Sequence, residues 1–387
     1  MTIDQLLSSL TILKNLLRHM IDALLIINEA GSLLYNWHPK GTDENGKDDL
    51  FSGFLTAINS FATFERGEDI KSLKLQETSL IFEKKEDLLQ KLTFVVTTRN
   101  ESLIELLHAF IHEVMNEFTY KYENLLNKEF NGDITEFKNF TTQVERILRS
   151  LGLDVLQKNI SEIDKDSYLK SIITLEPKGG IIYFIYAKQY INRDKISFLI
   201  PLVLSSARLL YQNYLNERVN WILLTTVQNE IMVVEPREKV LLVKQYILPE
   251  SIEEDYLSLE FFKDKEKYIK KPNKLIEKFS RVKWDSRVKQ FFLVDLVGKI
   301  IHSKIFDAHY DCSDYIPETI SFLTSSRKTS DELYNRVLFN AAIGGEKIVS
   351  ICINFNNFVL AIIGSLKDFS DYNTIQKLCI DIYKQIK

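Results

Sequence analysis

His108 and His112 stand four residues apart, with Glu113 beside the second. On a helix that spacing puts both imidazoles on one face, where they could hold zinc. A catalytic zinc helix needs its glutamate directly after the first histidine, and Ala109, Phe110 and Ile111 fill that gap. The expectation is a partly exposed structural pair flanking an apolar stripe. His302, His309, Asp311 and Cys312 form a second group. His302 falls in a strand-like run and the others in a loop, and no C-x-x-C pair occurs in the chain, so their spacing does not make a metal site.

AAIGGEKIVS, 341–350, comes nearest to a phosphate-binding loop. Such a loop needs its glycine-rich turn to lead into Lys and Ser or Thr at the start of a helix. The residues after Lys347 read instead as a strand, so a hairpin turn is expected. There is no G-x-S-x-G elbow for a serine hydrolase. Asp48-Asp49 and Glu253-Glu254 read as solvated carboxylates. No catalytic, metal-binding or cofactor-binding residue is assigned, and the expectation is a protein without enzyme activity or cofactor.

The bulk properties narrow the classes further. The 387 residues carry 49 basic and 53 acidic side chains, interspersed, for a net charge of −4. That balance argues against a general nucleic-acid binder. Three cysteines, Cys312, Cys352 and Cys379, are too few for a disulfide framework and suit a reducing, cytoplasmic setting. A leading helix is expected over 3–19, with Leu6, Leu10, Leu13, Leu17 and Met20 on one stripe. Asp4, Lys14, Arg18 and His19 interrupt it, so it is too short and polar to span a bilayer and suits packing, or at most peripheral membrane association.

The elements that would position these residues fall into a repeated order. ALLIINEAGSLLYNW predicts a strand, a tight turn at Glu29-Ala30-Gly31 and a returning strand. LFSGFLTAINSFATFE (50–65) has helical spacing, with Phe51, Phe54, Leu55, Ile58, Phe61 and Ala62 expected on the sheet-facing side. Three strands and a long helix from Ser102 follow. The segment from 271 repeats that order. A helix opens at Pro272, then VKQFFLVDLVGKIIHSKI forms a hairpin and 313–326 a helix. LYNRVLFNAAI, EKIVSICIN and NFVLAIIGS are the three strands, and a closing helix ends the chain. Between them, 131–270 is a mixed region with a hairpin (168–188), a long apolar helix (196–215) and a three-strand meander (221–248). It would follow the same order a third time if 253–270 were helical. The reading is an α+β protein. Two profilin-like units, each a five-stranded antiparallel sheet with flanking helices (α-ββ-α-βββ-α) over 1–130 and 271–387, flank a middle region over 131–270.

Those hairpin, meander and closing-helix residues resemble known families. The segment 271–387 is similar to the roadblock domain. Residues 1–130 resemble longin and roadblock-like domains through ALLIINEAGSLLYNW, DLFSGFLTAINSFATFE and IKSLKLQETSLIFEKKEDLLQKLTFVVTTR. GGIIYFIYAK with its long helix looks faintly like a GAF domain. The resemblance implies that such domains pair with one another and serve as platforms for small GTPases, contributing no catalytic side chains. It also makes LYNRVLFNAAI the sheet edge that pairs across dimers. An exposed apolar edge demands a partner. Tyr334, Arg336, Leu338 and Asn340 on that strand are the interaction candidates, with the N-terminal unit as intramolecular partner or a second copy in a homodimer. Phe54 and Phe61 would join them if exposed, although core packing is the simpler expectation for a helix that covers a sheet. The function implied is a non-enzymatic scaffold or regulatory subunit for small GTPases, with no nucleic-acid partner and at most peripheral membrane association. The alternative is a small-molecule sensor whose GAF- or PAS-like middle module lines a pocket with Tyr183, Ile185 and Phe198.

Overall fold

ALLIIN, LKSIITL and VKQFFLVD are runs of apolar residues with almost every side chain buried. Each becomes a strand with a neighbour on both sides, the place in a sheet where such runs belong. The computed structural model describes residues 21–39, 48–99, 103–154, 168–188, 190–248, 256–257, 272–311 and 313–386. The helix expected at 3–19, Cys312, and all of the helix expected at 253–270 except Tyr256 and Leu257 lie outside these residues.

The first module comprises β1 (Ala23–Asn28), β2 (Leu33–Trp37), α1 (Asp48–Arg66), β3 (Ser72–Lys74), β4 (Ser79–Lys85), β5 (Leu92–Thr98) and α2 (Ile104–Leu126). α3 (Thr141–Ser150) follows. The second module runs β6 (Leu169–Leu175), β7 (Ile182–Ala187), α4 (Arg193–Leu210), β8 (Trp221–Thr226), β9 (Glu230–Pro236) and β10 (Leu241–Ile247). The third has α5 (Pro272–Ser280), β11 (Val288–Asp295), β12 (Ile300–Ile305), α6 (Ile316–Tyr334), β13 (Leu338–Gly344), β14 (Ile348–Phe355), β15 (Phe358–Ser365) and α7 (Tyr372–Ile386).

All three modules share one strand order. The first sheet reads β2-β1-β5-β4-β3, and the other ten strands form a single sheet, β12-β11-β15-β14-β13-β8-β9-β10-β6-β7. Within each module the second strand lies outermost, beside the first, and the third lies at the opposite edge. Every strand pairing is antiparallel. The opening hairpins use local turn chemistry. Gly31 and Gly298 take left-handed φ angles of 84° and 88°, which glycine adopts without a Cβ penalty. Asn28 Oδ1 accepts from Ser32 N at 2.9 Å, and Asp295 Oδ1 accepts from Val297 N and Lys299 N at 3.0 and 2.9 Å.

The chain divides into two compact units, 1–167 with 237–240, and 168–236 with 241–387. The sequence-based middle region, 131–270, is thereby split, with α3 belonging to the first unit. The reason is a ring cluster. Phe137 and Phe140, just ahead of α3, stack on or edge against Phe118 and Tyr122 of α2, and Phe140 meets Tyr35 of β2 edge-on. Tyr35 Oη lies 3.1 Å from Thr141 Oγ1, and burial pushes its phenol up to about 12.

The second unit has one core on each face of its ten-stranded sheet, and both cores cross from the second module into the third. On one face Val203, Leu204 and Ala207 of α4 cluster with Phe322 and Leu323 of α6 over strands of both modules. On the other, Leu275 and Phe279 of α5 join Leu378 and Ile382 of α7, with Leu223 and Ile231 from the second module. Among the described residues, no helix is long and apolar enough to cross a membrane.

Candidate protein-interaction surface

β13 is not a free edge. It pairs with β8, from Leu338 opposite Thr226 to Gly344 opposite Trp221. The expected pairing of the two terminal units through this strand is therefore corrected, because β8 of the middle region already occupies the edge. Strand length and burial explain the choice: WILLTT and LFNAAIG are nearly all buried, whereas β3 offers only Ser72, Leu73 and Lys74. The helices above the seam run antiparallel. Lys195, near the start of α4, places Nζ 2.6 Å from Glu332 Oε2 near the end of α6, and Lys328 Nζ lies 6.0 Å from the Phe198 ring centroid.

The glycine cluster 341–350 is part of this seam. After α4 the chain makes a single π-helical turn over Tyr211–Leu215 and reverses at Asn216. That reversal delivers the buried Glu217 carboxylate to the β13–β14 turn. Glu217 Oε2 accepts from the backbone N–H groups of Glu346, Lys347 and Ile348 at 2.9, 3.1 and 3.3 Å. Converging amides make an anion nest, and here a carboxylate of the same chain sits in it. Tyr211 Oη donates to Ile343 O at 2.9 Å beneath the same turn.

The candidate residues on LYNRVLFNAAI do not share one strand face. Tyr334 is the last residue of α6, because Asn335 takes a left-handed conformation (φ 54°) and stops the helix. Arg336 is exposed in the connection, with Nε 4.0 Å from Glu230 Oε2. Leu338 and Asn340 are buried in β13, and Asn340 Nδ2 donates to Gln376 Oε1 at 3.0 Å. Burial raises the Glu230 carboxyl above its ordinary value, with Arg336 opposing, and burial followed by the Glu230 charge pushes the Tyr334 phenol up.

The other polar candidates separate. His108 Nδ1 lies 3.1 Å from Glu83 Oε1, and His309 Nδ1 lies 3.1 Å from Asp307 Oδ1. His302 meets the Phe291 ring edge-on, and Gln290 Nε2 donates to Asp311 Oδ1 at 3.1 Å. Among the described residues no three of His, Cys, Asp and Glu gather as a metal site would require. Cys352 and Cys379 are buried, and burial pushes the Cys352 thiol up to about 12. A cleft of about 520 Å³ beside α1 holds Asn28, Asn59, Thr63 and the Asp69–Lys84 ion pair. A cleft of about 430 Å³ on the second module is lined by Pro177, Pro201, Arg208 and Gln212, not by Tyr183, Ile185 or Phe198.

α1 departs most from expectation. It occupies the place in the first module that α4 and α6 occupy in the others, but it buries only Ser52 and Leu55. α4 and α6 bury eight residues each. Phe54 and Phe61, for which core packing was the simpler expectation, are 51 % and 67 % exposed, and Phe64 is 86 % exposed. The helix is apolar on two sides, and only one side can face the sheet. Leu50, Phe54, Ala57, Phe61 and Phe64 therefore form an outward stripe at 4-3-4-3 spacing, the period of a helix-packing seam. No charged residue occurs from Leu50 to Phe64.

No family model and no curated protein matches the chain. Among solved structures it is similar to one described as "The Structure of the Mammalian SRP Receptor", at 16% identity over 35% of this chain and 98% of that chain, with a TM-score of 0.23.

Proposed function

We propose that the protein is a non-enzymatic scaffold or regulatory subunit for small GTPases, built from three roadblock/longin-like modules of profilin-like form. One observation carries this reading. Two of the modules are joined by their third strands and their covering helices, while the first keeps the corresponding helix face apolar and outward. An apolar stripe of that length on a surface helix marks a protein contact. Its spacing suits the covering helix of another module, and the paired modules then present a platform on which a GTPase sits. The separation of the histidines, the pairing of Asp69 with Lys84 and the capture of Glu217 by backbone amides favour structural roles for the polar groups over chemistry.

The test is capture of small GTPases from the same cell on the immobilised full chain, each loaded with GDP or with a nonhydrolysable GTP analogue. Retention of at least one GTPase with a preference for one nucleotide state is expected. Absence of retention in both states across the set would refute the proposal.

A further inference from the structure

The two ends of the β13–β14 pair are electrically unlike. At the turn that joins them, the backbone amides of Glu346, Lys347 and Ile348 hold the Glu217 carboxylate, so an anion of the same chain fills the nest. At the far end, Leu338 begins β13 and Phe355 closes β14. There a cleft of about 510 Å³ opens between the second half of α6, the connection into β13 and the β14–β15 turn. Arg327, Lys328 and Arg336 line it, against one carboxylate, Asp331. Three cations against one carboxylate leave an excess of two positive charges. We infer that this cleft binds a phosphate monoester dianion, with Arg327 and Arg336 as its principal ligands. The inference goes beyond the GTPase reading and does not depend on it.

Arg327 carries the argument. Its side chain is partly buried, and Nη1 donates to a neutral acceptor, Asn356 O, at 2.9 Å. Among the described residues no carboxylate pairs with it, although Asp331 lies one turn along the same helix. Burial lowers its guanidinium from the ordinary value, and the Tyr256 phenol opposes that shift. A cation withdrawn from water is costly unless an anion meets it. The bond to Asn356 uses one N–H donor, and the rest of the planar fork matches a pair of phosphate oxygens.

Asn356 is a second, independent mark. It takes a left-handed conformation (φ 61°) at the β14–β15 turn and lines the same cleft, and its Nδ2 is buried without an acceptor. An oxygen of a bound anion would supply one. Arg336 is exposed in the α6–β13 connection, with Glu230 Oε2 4.0 Å from its Nε, too far for a hydrogen bond. Its donors are therefore free to turn onto a ligand. The charge excess selects a phosphate monoester, which carries about −1.5 to −2 at neutral pH, over a carboxylate. The cleft is larger than a bare phosphate and falls within the range of small-molecule sites, and Val337 and Leu338 give it an apolar wall for the carbon side of an ester.

Isothermal titration of the full chain with inorganic phosphate and with methyl phosphate, at constant ionic strength, tests this. Saturable binding is expected. Arg327→Gln should weaken it by about tenfold or more, as loss of a charge-assisted pair does. Arg336→Gln, on an exposed connection, should weaken it by about threefold, and Asp331→Asn should tighten it by about threefold by removing the opposing charge. Tighter binding cannot come from a misfolded variant. Cosedimentation with phosphatidylcholine vesicles, with and without phosphatidylinositol phosphate, separates the sources. Binding of methyl phosphate assigns a soluble ester, whereas binding to the phosphoinositide vesicles alone, lost in Arg327→Gln, assigns a lipid headgroup. Failure to bind phosphate, methyl phosphate and both vesicles overturns the proposal, as does binding that none of the three substitutions changes.

Discussion

The helix pair α4/α6 and the single helix α1 hold the same position in modules of the same strand order, and they meet opposite fates. α4 and α6 bury eight residues each and share one core with Val203, Ala207 and Phe322. α1 buries two, and its phenylalanines face outward. Topology alone therefore does not decide whether a covering helix is core or surface. The third strand beside it does. β8 and β13 are long, apolar and buried, and they join their modules edge to edge. β3 is short and partly exposed, and among the described residues no further strand pairs with it to bring a second helix against α1.

The strongest way to break this comparison is to hollow the paired side. Phe322 is fully buried in the core beneath α4 and α6. Phe322→Ala should cost about 3–5 kcal/mol of stability in the second unit, as large core truncations do. Denaturant unfolding checks this, and a loss under about 1 kcal/mol would mean that the two modules do not share a tightly packed core.

A smaller loss is expected at the turn that clasps the seam. A Cβ on Gly345 would stand 2.3 Å from Glu217 Oε2 and 2.5 Å from the Tyr211 ring. Both groups are buried and fixed by hydrogen bonds, so neither yields easily. Gly345→Ala should lower stability by up to about 3 kcal/mol, by overpacking. Glu217→Ala reaches the same clasp from the other side, leaving three amides without their acceptor, at a cost of about 1–3 kcal/mol. Thermal melts of both variants against wild type measure the difference. Equal melting temperatures would show that the nest is incidental to the seam.

Glu230 sharpens the comparison through pH. Burial raises its carboxyl above the ordinary 4.5. The folded protein then binds this proton more tightly than the unfolded chain does. Stability contributed by the group falls as pH rises from 4.5 through the raised folded value, and the penalty remains at neutral pH. Glu230→Gln should remove that slope and raise stability at pH 7 by less than about 1 kcal/mol. Urea melts across the window decide it, and an unchanged slope would place the carboxylate in water rather than at the seam.

Much of this arrangement is legible in the residues. The opening hairpins announce themselves by an apolar run, then Asn28 with Gly31 or Asp295 with Gly298, then a second run. The meander of 221–248 is readable in the same way. Two features mislead. Leu333 to Asn340 alternates like a strand, but Asn335 in a left-handed conformation ends α6 and delays β13 to Leu338. The apolar spacing of α1 fits two faces at once, so periodicity cannot tell which one meets the sheet. The identity of the seam partner lies deeper, because contacts such as Lys195 with Glu332 join residues 137 positions apart. Local pattern sets the modules, and matched strand lengths between distant modules set which of them join.

The smallest effect is the most pointed, because it separates the two kinds of helix without reference to any partner. Phe61 is two-thirds exposed, and its ring covers little of the chain's own surface. Phe61→Ser should change the unfolding free energy of the chain in dilute solution by no more than about 0.5 kcal/mol, as exposed substitutions do. A loss of several kcal/mol in dilute solution would mean that Phe61 is packed within its own chain. α1 would then be a covered helix like α4 and α6, and the contrast between the paired and unpaired modules would disappear.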